Sequence, residues 1–466
     1  MFLYICLFCS CSLNSNSAVV HRSFLQYFPV TLDPILATET NSQFIINNSF
    51  DGLVSWSEEK GLVSQLAESW IFSPDRKKIR FKLRKATFSD GDQFLPHHVA
   101  EHFVRLRKNA YFKDHFDQIK DIKVIDDSHV EMELKGPSPH IMYLLSGSHS
   151  RIVKRFQNKI IGIGPFVPKI KGHKVVLIKN KYYWGPKAQV DRIDFFVMDV
   201  ESAFKAIEKG ELDDMILNPG GSEDVDKVKN GNWIEQPMWA TWAIAFNRKI
   251  IKEEKIRNEI VLSLPSKQFI AMYKGNKEAF GIQSIGMPGY IDKFNLKKLE
   301  FARFKTKKMI EIALPLEMPL YDKIENWISS KTLSCCKLVP LKKKFTEIIE
   351  QVGKNGFAAY LISFNPEYPD PSFLIRALYS KATSNYIRLS NNEVDELIYQ
   401  INKTDDLVER ATLMRKVNEI IMSEASLVPL MHVVHHALSR KCVEGIQLNP
   451  VSEGYFSLRG VKNKCN

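Results

Sequence analysis

Residues 79–108 read IRFKLRKATFSDGDQFLPHHVAEHFVRLRK, and this stretch contains three structural signals in order. Apolar and charged residues alternate from Ile79 to Leu83, which predicts a strand with one face on a core. Asp90 and Gly91 predict a turn. Helical spacing then predicts an amphipathic helix whose apolar residues are Val99, Phe103, Val104 and Leu106.

The same mixture of signals continues along the chain. Strands are predicted for HVEMEL (129–134), KVVLIKN (174–180) and DRIDFFVM (191–198). A helix is predicted for 201–214, with Gly210 as its stop, and long helical patterns occupy 393–427. Strands and helices alternate without a fixed repeat, so the class is α/β or α+β in more than one lobe.

Composition limits the possible functions. The chain has 466 residues, of which 44% are hydrophobic and 25% charged, so it is long enough for two or three domains. The net charge is +12, but the basic residues are spread thinly, with short runs such as LKKKF (341–345). No long basic tract interleaved with aromatic residues is present, so we expect no nucleic-acid partner.

The N-terminus has the pattern of an export signal. Residues 1–21 contain no Lys, Arg, Asp or Glu, and an apolar run extends from Phe2 to Phe8. Ser10 and Cys11 follow in the arrangement of a lipoprotein cleavage site, with a Ser/Asn-rich tether after them. We therefore expect a leader over 1–19, lipidation of Cys11, and a protein anchored at the periplasmic or cell surface. No later run has the ~18 apolar residues of a spanning helix, so membrane contact is expected through the lipid anchor alone.

Four cysteines lie outside this leader, and their spacing does not match a metal site. They are Cys335, Cys336, Cys442 and Cys465. These four cysteines contain no C-x-x-C pair, and we expect no resident metal ion. An exported protein can pair some of these cysteines, and the sequence leaves the pairing open.

Two histidine patterns and one glycine pattern have alternative interpretations. His98, Glu101 and His102 match H-x-x-E-H, the inverted zincin pattern, and suggest a zinc hydrolase as a remote alternative. His432 begins an apolar, strand-like stretch with two further histidines, which favours cleft-lining or internally hydrogen-bonded rings over a ligand cluster. GIGPF (162–166) lacks the third glycine of a phosphate loop and predicts a tight turn.

A longer series of segments adds more specific information than any single motif. In chain order they are TLDP (31–34), FDGLV (50–54), LAESW (66–70), IRFKLRKATFSDGDQF (79–94), GIGPF (162–166), KNKYYWGPKAQVDRIDF (179–195), IEKGELD (207–213), AIAFNRK (243–249), KIRNEI (255–260), EYPDPSFL (367–374) and ERATLMRKVNEIIMSEASLVPL (409–430). This ordered series resembles the extracellular solute-binding proteins of family 5, which include the oligopeptide- and dipeptide-binding proteins of ABC importers. The resemblance covers nearly the whole chain after the leader.

The resemblance implies an α/β, two-lobed periplasmic-binding-protein-like fold, with a hinge and an extra domain inserted in lobe one. Carried onto this chain, lobe one comprises 20–44, 159–238 and 440–466. The inserted domain comprises 45–158, and lobe two comprises 239–439. Closure about a ligand is the motion expected of such a fold.

The resemblance also implies a ligand site. In peptide-binding members an aspartate in the loop matching FNPEYPDPSF (364–373) holds the α-ammonium of the ligand, and Glu367 occupies that position here. The prolines make this loop stiff and extended. Aromatic residues are expected to form the cleft walls. The full set of ligand-binding candidates is Glu367, Phe364, Tyr368, Trp239, Trp242, Thr38, Glu39 and His432.

The function implied is that of a binding protein and not an enzyme. It would capture short peptides in an interlobe cleft and deliver them to the permease subunits of an ABC transporter. We expect a monomer without a cofactor. A nickel, haem or sugar receptor of the same family is the main alternative, and the zinc hydrolase is the remote one.

Overall fold

A computed structural model describes most of the chain after the leader. The described residues are 18–37, 39–109, 116–157, 159–172, 174–217, 231–273, 275–294, 307–316, 318, 320–352, 354, 356–366, 370, 373–374, 377–382, 385–451 and 456–465.

The strands, numbered in chain order, are short except for two. They are β1 (Val20–Leu25), β2 (Val54–Ser57), β3 (Gly61–Ser64), β4 (Ala67–Phe72), β5 (Lys78–Leu83), β6 (Ile119–Asp126), β7 (His129–Leu134), β8 (Val153–Phe156), β9 (Lys159–Gly162), β10 (Phe166–Lys171), β11 (Lys174–Lys179), β12 (Arg192–Val197), β13 (Asp214–Leu217), β14 (Gly231–Phe246), β15 (Lys277–Glu278), β16 (Lys308–Pro315), β17 (Cys336–Lys343), β18 (Ala359–Phe364), β19 (Leu427–Arg440), β20 (Val443–Glu444), β21 (Gln447–Leu448), β22 (Phe456–Ser457) and β23 (Lys462–Asn463).

The α-helices of the described residues pack on these strands. They are α1 (Thr40–Ser49), α2 (Pro96–Lys108), α3 (Ile141–Leu145), α4 (Val200–Glu208), α5 (Glu254–Ser263), α6 (Ser266–Ile270), α7 (Tyr321–Ser329), α8 (Phe345–Val352), α9 (Asn392–Ile401) and α10 (Leu407–Ser423). Within the described ranges, no helix is long and apolar enough to span a bilayer.

Three larger sheets organise the molecule. One four-stranded sheet has the order β1-β12-β11-β10, with β1 parallel to β12. A second four-stranded sheet, β4-β5-β7-β6, is antiparallel throughout. The largest sheet has seven strands in the order β13-β19-β14-β18-β16-β17, and β15 pairs with β19. Mixed sheets covered by helices confirm the predicted α/β class, and the fold is two-lobed.

Residues 79–108 fold as predicted. In β5 burial alternates strictly, and the inward residues include Ile79 and Phe81. Helix α2 begins with Pro96 at its first position, where a missing N–H is tolerated, and buries Val99, Phe103 and Leu106 against the same sheet. Val104 is 42% exposed, because its position falls at the edge of the buried face.

The other predicted elements are also present. The three predicted strands correspond to β7, β11 and β12, and α4 stops before Gly210, whose φ is +73°. The helical pattern of 393–427 divides into α9 and α10. Asp406 caps α10 by accepting hydrogen bonds from the N–H groups of Val408 and Glu409, which fixes a new helix start.

The cysteine pairing left open by the sequence is resolved for two residues. Cys442 and Cys465 form a disulfide with a Cα–Cα distance of 5.1 Å, which ties the C-terminal segment to the start of β20. Cys335 and Cys336 are free and buried.

The GIGPF segment is a tight turn packed against the end of α1. Around this turn, Asp51 N–H donates to the carbonyl of Ile163, and Ser89 N–H donates to the carbonyl of Gly162. A Cβ added at Gly164 would lie 2.0 Å from the carbonyl oxygen of Ser49. Only glycine permits this approach of two backbone segments.

We predict that Gly164→Ala destabilises the protein by about 3 kcal/mol, the upper end of the cost of overpacking, because the obstruction is backbone and cannot rotate away. Gly136→Ala is the matched control, since an added Cβ there meets nothing within 4 Å. Urea unfolding monitored by circular dichroism measures both variants. Equal midpoints for the two would contradict the packing of the turn on α1.

Candidate functional site

The two longest strands of the described residues, β14 and β19, pair on both sides of an irregular interval, the strand crossing. Residues 231–237 of β14 pair with 434–440 of β19, and residues 241–245 pair with 427–432. The ladder is irregular between Pro237 and Thr241. The backbone groups in that interval are released from the ladder and can bond elsewhere.

Trp239 lies in this irregular interval. Its backbone N–H donates to the carbonyl of Pro450 at 2.6 Å, and its ring packs on Trp56 with the centroids 5.5 Å apart. The buried indole Nε1–H has no hydrogen-bond partner among the described residues. A Cβ built at Gly286 would lie 3.5 Å from this nitrogen and 4.0 Å from Glu58 Oε1. The structure thus places an unused donor near a carboxylate.

Two other aromatic candidates belong to the hydrophobic core. Trp242 packs on the opposite face of β14 from Trp239, with its ring 5.6 Å from that of Tyr273 in an edge-on arrangement. Phe364 ends β18 opposite Thr241 and is buried in the same core cluster as Trp239. Phe364 is buried and Trp242 is partly buried, so both side chains contribute to core packing; their contact with a ligand stays a prediction.

His432 lies on β19 beneath the crossing and is fully buried. Its Nδ1 is 2.8 Å from the hydroxyl oxygen of Thr241, and its ring is 5.6 Å from that of Tyr290. Burial lowers the pKa of His432 to about 3. The ring is therefore neutral at physiological pH.

Glu39 has a structural role at the start of α1. Its carboxylate accepts hydrogen bonds from the backbone N–H groups of Val30, Asn41 and Ser42, at distances of 2.7 to 3.1 Å. It is thus the N-cap of the helix. The remaining candidates, Thr38, Glu367, Tyr368 and the predicted lipidation residue Cys11, lie outside the described residues.

A cavity of about 230 Å³ lies beside the crossing. Its walls come from α1, the β2–β3 hairpin, the segment after α3 and the C-terminal segment. The lining residues are Asn47, Asn48, Ser55, Trp56, Ser57, Glu58, Gln65, Ser146, Gly147, Ser148, Arg151, Gln447, Leu448, Asn449, Pro450, Val451, Phe456, Ser457 and Arg459. Trp239 borders it through Trp56 and Pro450.

Two arginines of the cavity wall are held by protein acceptors. Arg459 forms an ion pair with Asp51 at 2.5 Å, and Asp51 also accepts hydrogen bonds from Gln65 and from the indole of Trp184. Arg151 donates to Gln65 Oε1 at 2.9 Å and to Asn47 Oδ1 at 3.1 Å. These bonds fix the polar wall in place before any ligand arrives.

Asp370, three residues after Glu367 in the chain, is part of a buried ion pair. Asp370 accepts two hydrogen bonds of 2.7 Å from the guanidinium of Arg410, and the two side chains are 2% and 3% exposed. The ring of Tyr143 approaches from the helical segment α3. Burial, and then the negative charge of Asp370, raises the pKa of Tyr143.

The histidines of the zincin-like pattern have no metal-site geometry. His98 Nδ1 accepts a hydrogen bond from the backbone N–H of Leu95 at 3.0 Å, which uses it as a helix cap. His102 is buried, and its Nε2 donates to the carbonyl of His149 at 2.9 Å. In the part of the chain that the structure describes, no group of three His, Cys, Asp or Glu side chains could hold a metal ion.

None of the residues that line the cavity is among the ligand-binding candidates predicted from the sequence. Trp56 and Glu58 lie two and four residues after the FDGLV segment. An aromatic residue and a carboxylate so close together are the local signal in the sequence that points to this wall. Arg151 and the 447–451 segment have no such signal, because they meet the hairpin only through the fold.

A two-lobed fold with a polar cavity beside the strand crossing defines a protein of the periplasmic-binding-protein class. The chain belongs to the bacterial extracellular solute-binding proteins, family 5, whose middle-region model matches residues 61–313. Members of this family are extracytoplasmic binding proteins rather than enzymes.

Individual relatives agree with this assignment. The dipeptide-binding protein DppE of Bacillus subtilis is 22% identical over 92% of this chain and 89% of its own length. The crystal structure of NikA from Brucella suis in complex with Fe(III)-EDTA superposes with a TM-score of 0.83 at 20% identity, covering 96% of this chain and 100% of that one. The dipeptide-binding protein from Pseudoalteromonas sp. SM9913 in complex with Met-Leu gives 0.80 at 20% identity with the same coverage.

The buried histidines predict a pH dependence of stability. Burial lowers the pKa values of His432 and His435 to about 3, against 6.5 for an ordinary histidine. Below pH 6.5 the unfolded chain therefore binds more protons than the folded one, and stability falls as the pH drops from 6.5 towards 3. Each histidine contributes a slope of up to ~1.4 kcal/mol per pH unit.

Between pH 6 and pH 4, His432→Gln should make the loss of stability with falling pH less steep, by the contribution of one histidine. Urea unfolding at a series of pH values measures this slope. His97→Gln removes an exposed ring on α2 and serves as the control. A wild-type slope retained in His432→Gln would mean that this ring takes up its proton without unfolding.

Proposed function

We propose that this protein captures short peptides outside the cytoplasmic membrane and delivers them to the permease of an ABC transporter. Membership of the family supports the binding role, and the dipeptide-binding relatives support the ligand class. The leader with Cys11 supports attachment of the exported protein, as a monomer, through a lipid anchor.

The polar cavity beside the crossing is the observation that carries the proposal. Binding sites for drug-sized molecules usually have volumes of about 300–1,000 Å³, so a cavity of about 230 Å³ favours a small ligand such as a dipeptide. Its wall combines side-chain amides, hydroxyls and charged groups with the ring of Trp56. Polar groups of this kind pair with a peptide backbone, while an aromatic wall tolerates many side chains.

The loop around Glu367 supports the position of the ammonium anchor. Phe364 fixes one end by pairing in the sheet, and Asp370 fixes the other through Arg410. Five residues therefore span two immobile points, and two of these five are prolines. We assign the α-ammonium of the peptide to the carboxylate of Glu367, because a carboxylate makes a charge-assisted bond to an ammonium group.

A thermal-shift screen tests the function directly. A peptide that binds in this cavity, on the lobe-one side, and is also contacted by lobe two binds only the folded, closed form, so at 100 times its dissociation constant it should stabilise the protein by about 2.7 kcal/mol. X-ray scattering should show a smaller radius of gyration in the same samples. Mass spectrometry of co-purified ligand is the unbiased companion measurement. A metal chelate or haem found there, with no shift from any di- to tetrapeptide, would replace the peptide assignment.

The anchor is tested by a double-mutant cycle. Glu367→Gln keeps the shape and removes the charge, so peptide affinity should fall by ~2–5 kcal/mol, or ~30-fold to several thousand-fold. N-acetylation of the peptide should cost the wild type a similar amount and the variant much less, because both changes delete one interaction. Calorimetry measures the four affinities, and Glu367→Asp restores the residue usual in the family.

Glu58→Gln is the matched control, since Glu58 is the carboxylate that lines the described cavity. It should leave the penalty of acetylation unchanged. If the penalty instead disappears in Glu58→Gln and persists in Glu367→Gln, the ammonium anchor is Glu58.

A further inference from the structure

Two adjacent cysteines in lobe two have an unusual arrangement. Cys335 and Cys336 are 0% and 1% exposed and belong to one hydrophobic core cluster on the seven-stranded sheet. Their sulfur atoms are 2.8 Å apart. A disulfide bond is about 2.05 Å long, so the sulfurs would have to move by less than about 1 Å to form one.

Adjacent residues do not normally bring their side chains together in this way. Successive side chains in a strand point to opposite faces, which would separate the two thiols. Here Cys336 is the first residue of β17, and Cys335 lies in the bend before it. The bend turns both sulfurs into the same core, at a distance shorter than the ~3.5–4.0 Å between non-bonded carbon atoms.

A buried carboxylate holds the bend independently of the thiols. Glu259 on α5 is 3% exposed and accepts hydrogen bonds from the hydroxyl of Ser334 at 2.7 Å and from the backbone N–H of Cys335 at 3.3 Å. The hydrogen bond with Cys336, and then burial, raises the pKa of the Cys335 thiol. The folded dithiol is therefore a poor nucleophile, and its oxidation belongs to the folding stage, before the core closes.

The rest of the chain supplies the second, independent observation. The disulfide between Cys442 and Cys465 requires maturation where disulfides persist, outside the reducing cytosol. Any oxidant that closes that bond also meets Cys335 and Cys336 while the chain folds.

We infer that Cys335 and Cys336 are a modification site, joined in the mature exported protein by a vicinal disulfide. Two S–H bonds break and one S–S bond forms. The oxidant is itself a disulfide, such as that of a thiol oxidoreductase or oxidised glutathione; its S–S bond breaks, and it takes up the two electrons and two protons to become two thiols.

The bond between neighbours differs in character from the other disulfide. Consecutive Cα atoms are about 3.8 Å apart, below the usual 4.4–6.8 Å of disulfides, whereas Cys442 and Cys465 are separated by 5.1 Å. A geometry outside the usual range makes a disulfide easier to reduce. The vicinal bond should therefore open at a lower concentration of dithiothreitol than Cys442–Cys465.

Peptide mapping of the wild-type protein, exported and purified without reductant, tests the inference. The protein is denatured, treated with iodoacetamide and digested with trypsin. The fragment Thr332–Lys337 contains both cysteines and no other. It should carry no alkyl group and weigh two hydrogens less than the dithiol form, and it should carry two alkyl groups when dithiothreitol precedes alkylation. Two alkyl groups in the unreduced sample would overturn the inference.

Two further arms make the test specific. The linked fragments Cys442–Arg459 and Cys465–Asn466 report the reference disulfide in the same digest, and a dithiothreitol series should open Cys335–Cys336 first. The double variant Cys442→Ser/Cys465→Ser should still give the lighter Thr332–Lys337 fragment. Two results would show disulfide exchange in place of a vicinal bond. One is a Thr332–Lys337 fragment linked to Cys442 or Cys465; the other is a fragment that is oxidised in the wild type but not in the double variant.

Discussion

The pairing of β14 with β19 is the constraint on which the rest of the structure depends. The two strands share one ladder on each side of the irregular interval between Pro237 and Thr241. Interrupting the ladder there frees the backbone N–H of Trp239 to bond with Pro450, which draws the C-terminal segment against the crossing. The cavity wall contributed by residues 447–451 follows from that bond.

Buried charges around the crossing are all part of larger hydrogen-bonded arrangements. Asp51 is shared by Arg459, Gln65 and Trp184, and Asp370 holds Arg410 through two bonds. A buried carboxylate left unpaired costs several kcal/mol, so each of these groups can adopt few other positions. The site walls are thereby fixed by the same interactions that make their burial tolerable. Preorganisation of this kind lowers the entropy lost when a ligand binds.

Three contacts near the cavity and on the surface are of a weaker kind. Arg76 pairs with Asp405 at 2.7 Å, but the two side chains are 42% and 46% exposed, and pairs in such surroundings contribute about 0–1 kcal/mol. Gln236 donates to Glu58 at 3.2 Å in a similarly exposed position. Of these three contacts, the one between Trp56 and Trp239 is aromatic.

The sequence by itself determined the elements and the family. Alternation in Ile79–Leu83, helical spacing after Pro96 and the glycines of 162–166 are local patterns, because a strand, a helix or a turn is set by neighbouring residues. The ordered segments resemble those of one family, and the two-lobed class follows from that resemblance.

Which side chains meet depends on the tertiary structure. It placed Trp239 against Trp56 in one core cluster and Trp242 against Tyr273 in another, on the opposite face of β14, because residues an odd number of positions apart in a strand point to opposite faces. It likewise brought Arg151 to Gln65 and Arg410 to Asp370, since contacts over long sequence separations depend on packing and leave no periodic signal in the chain.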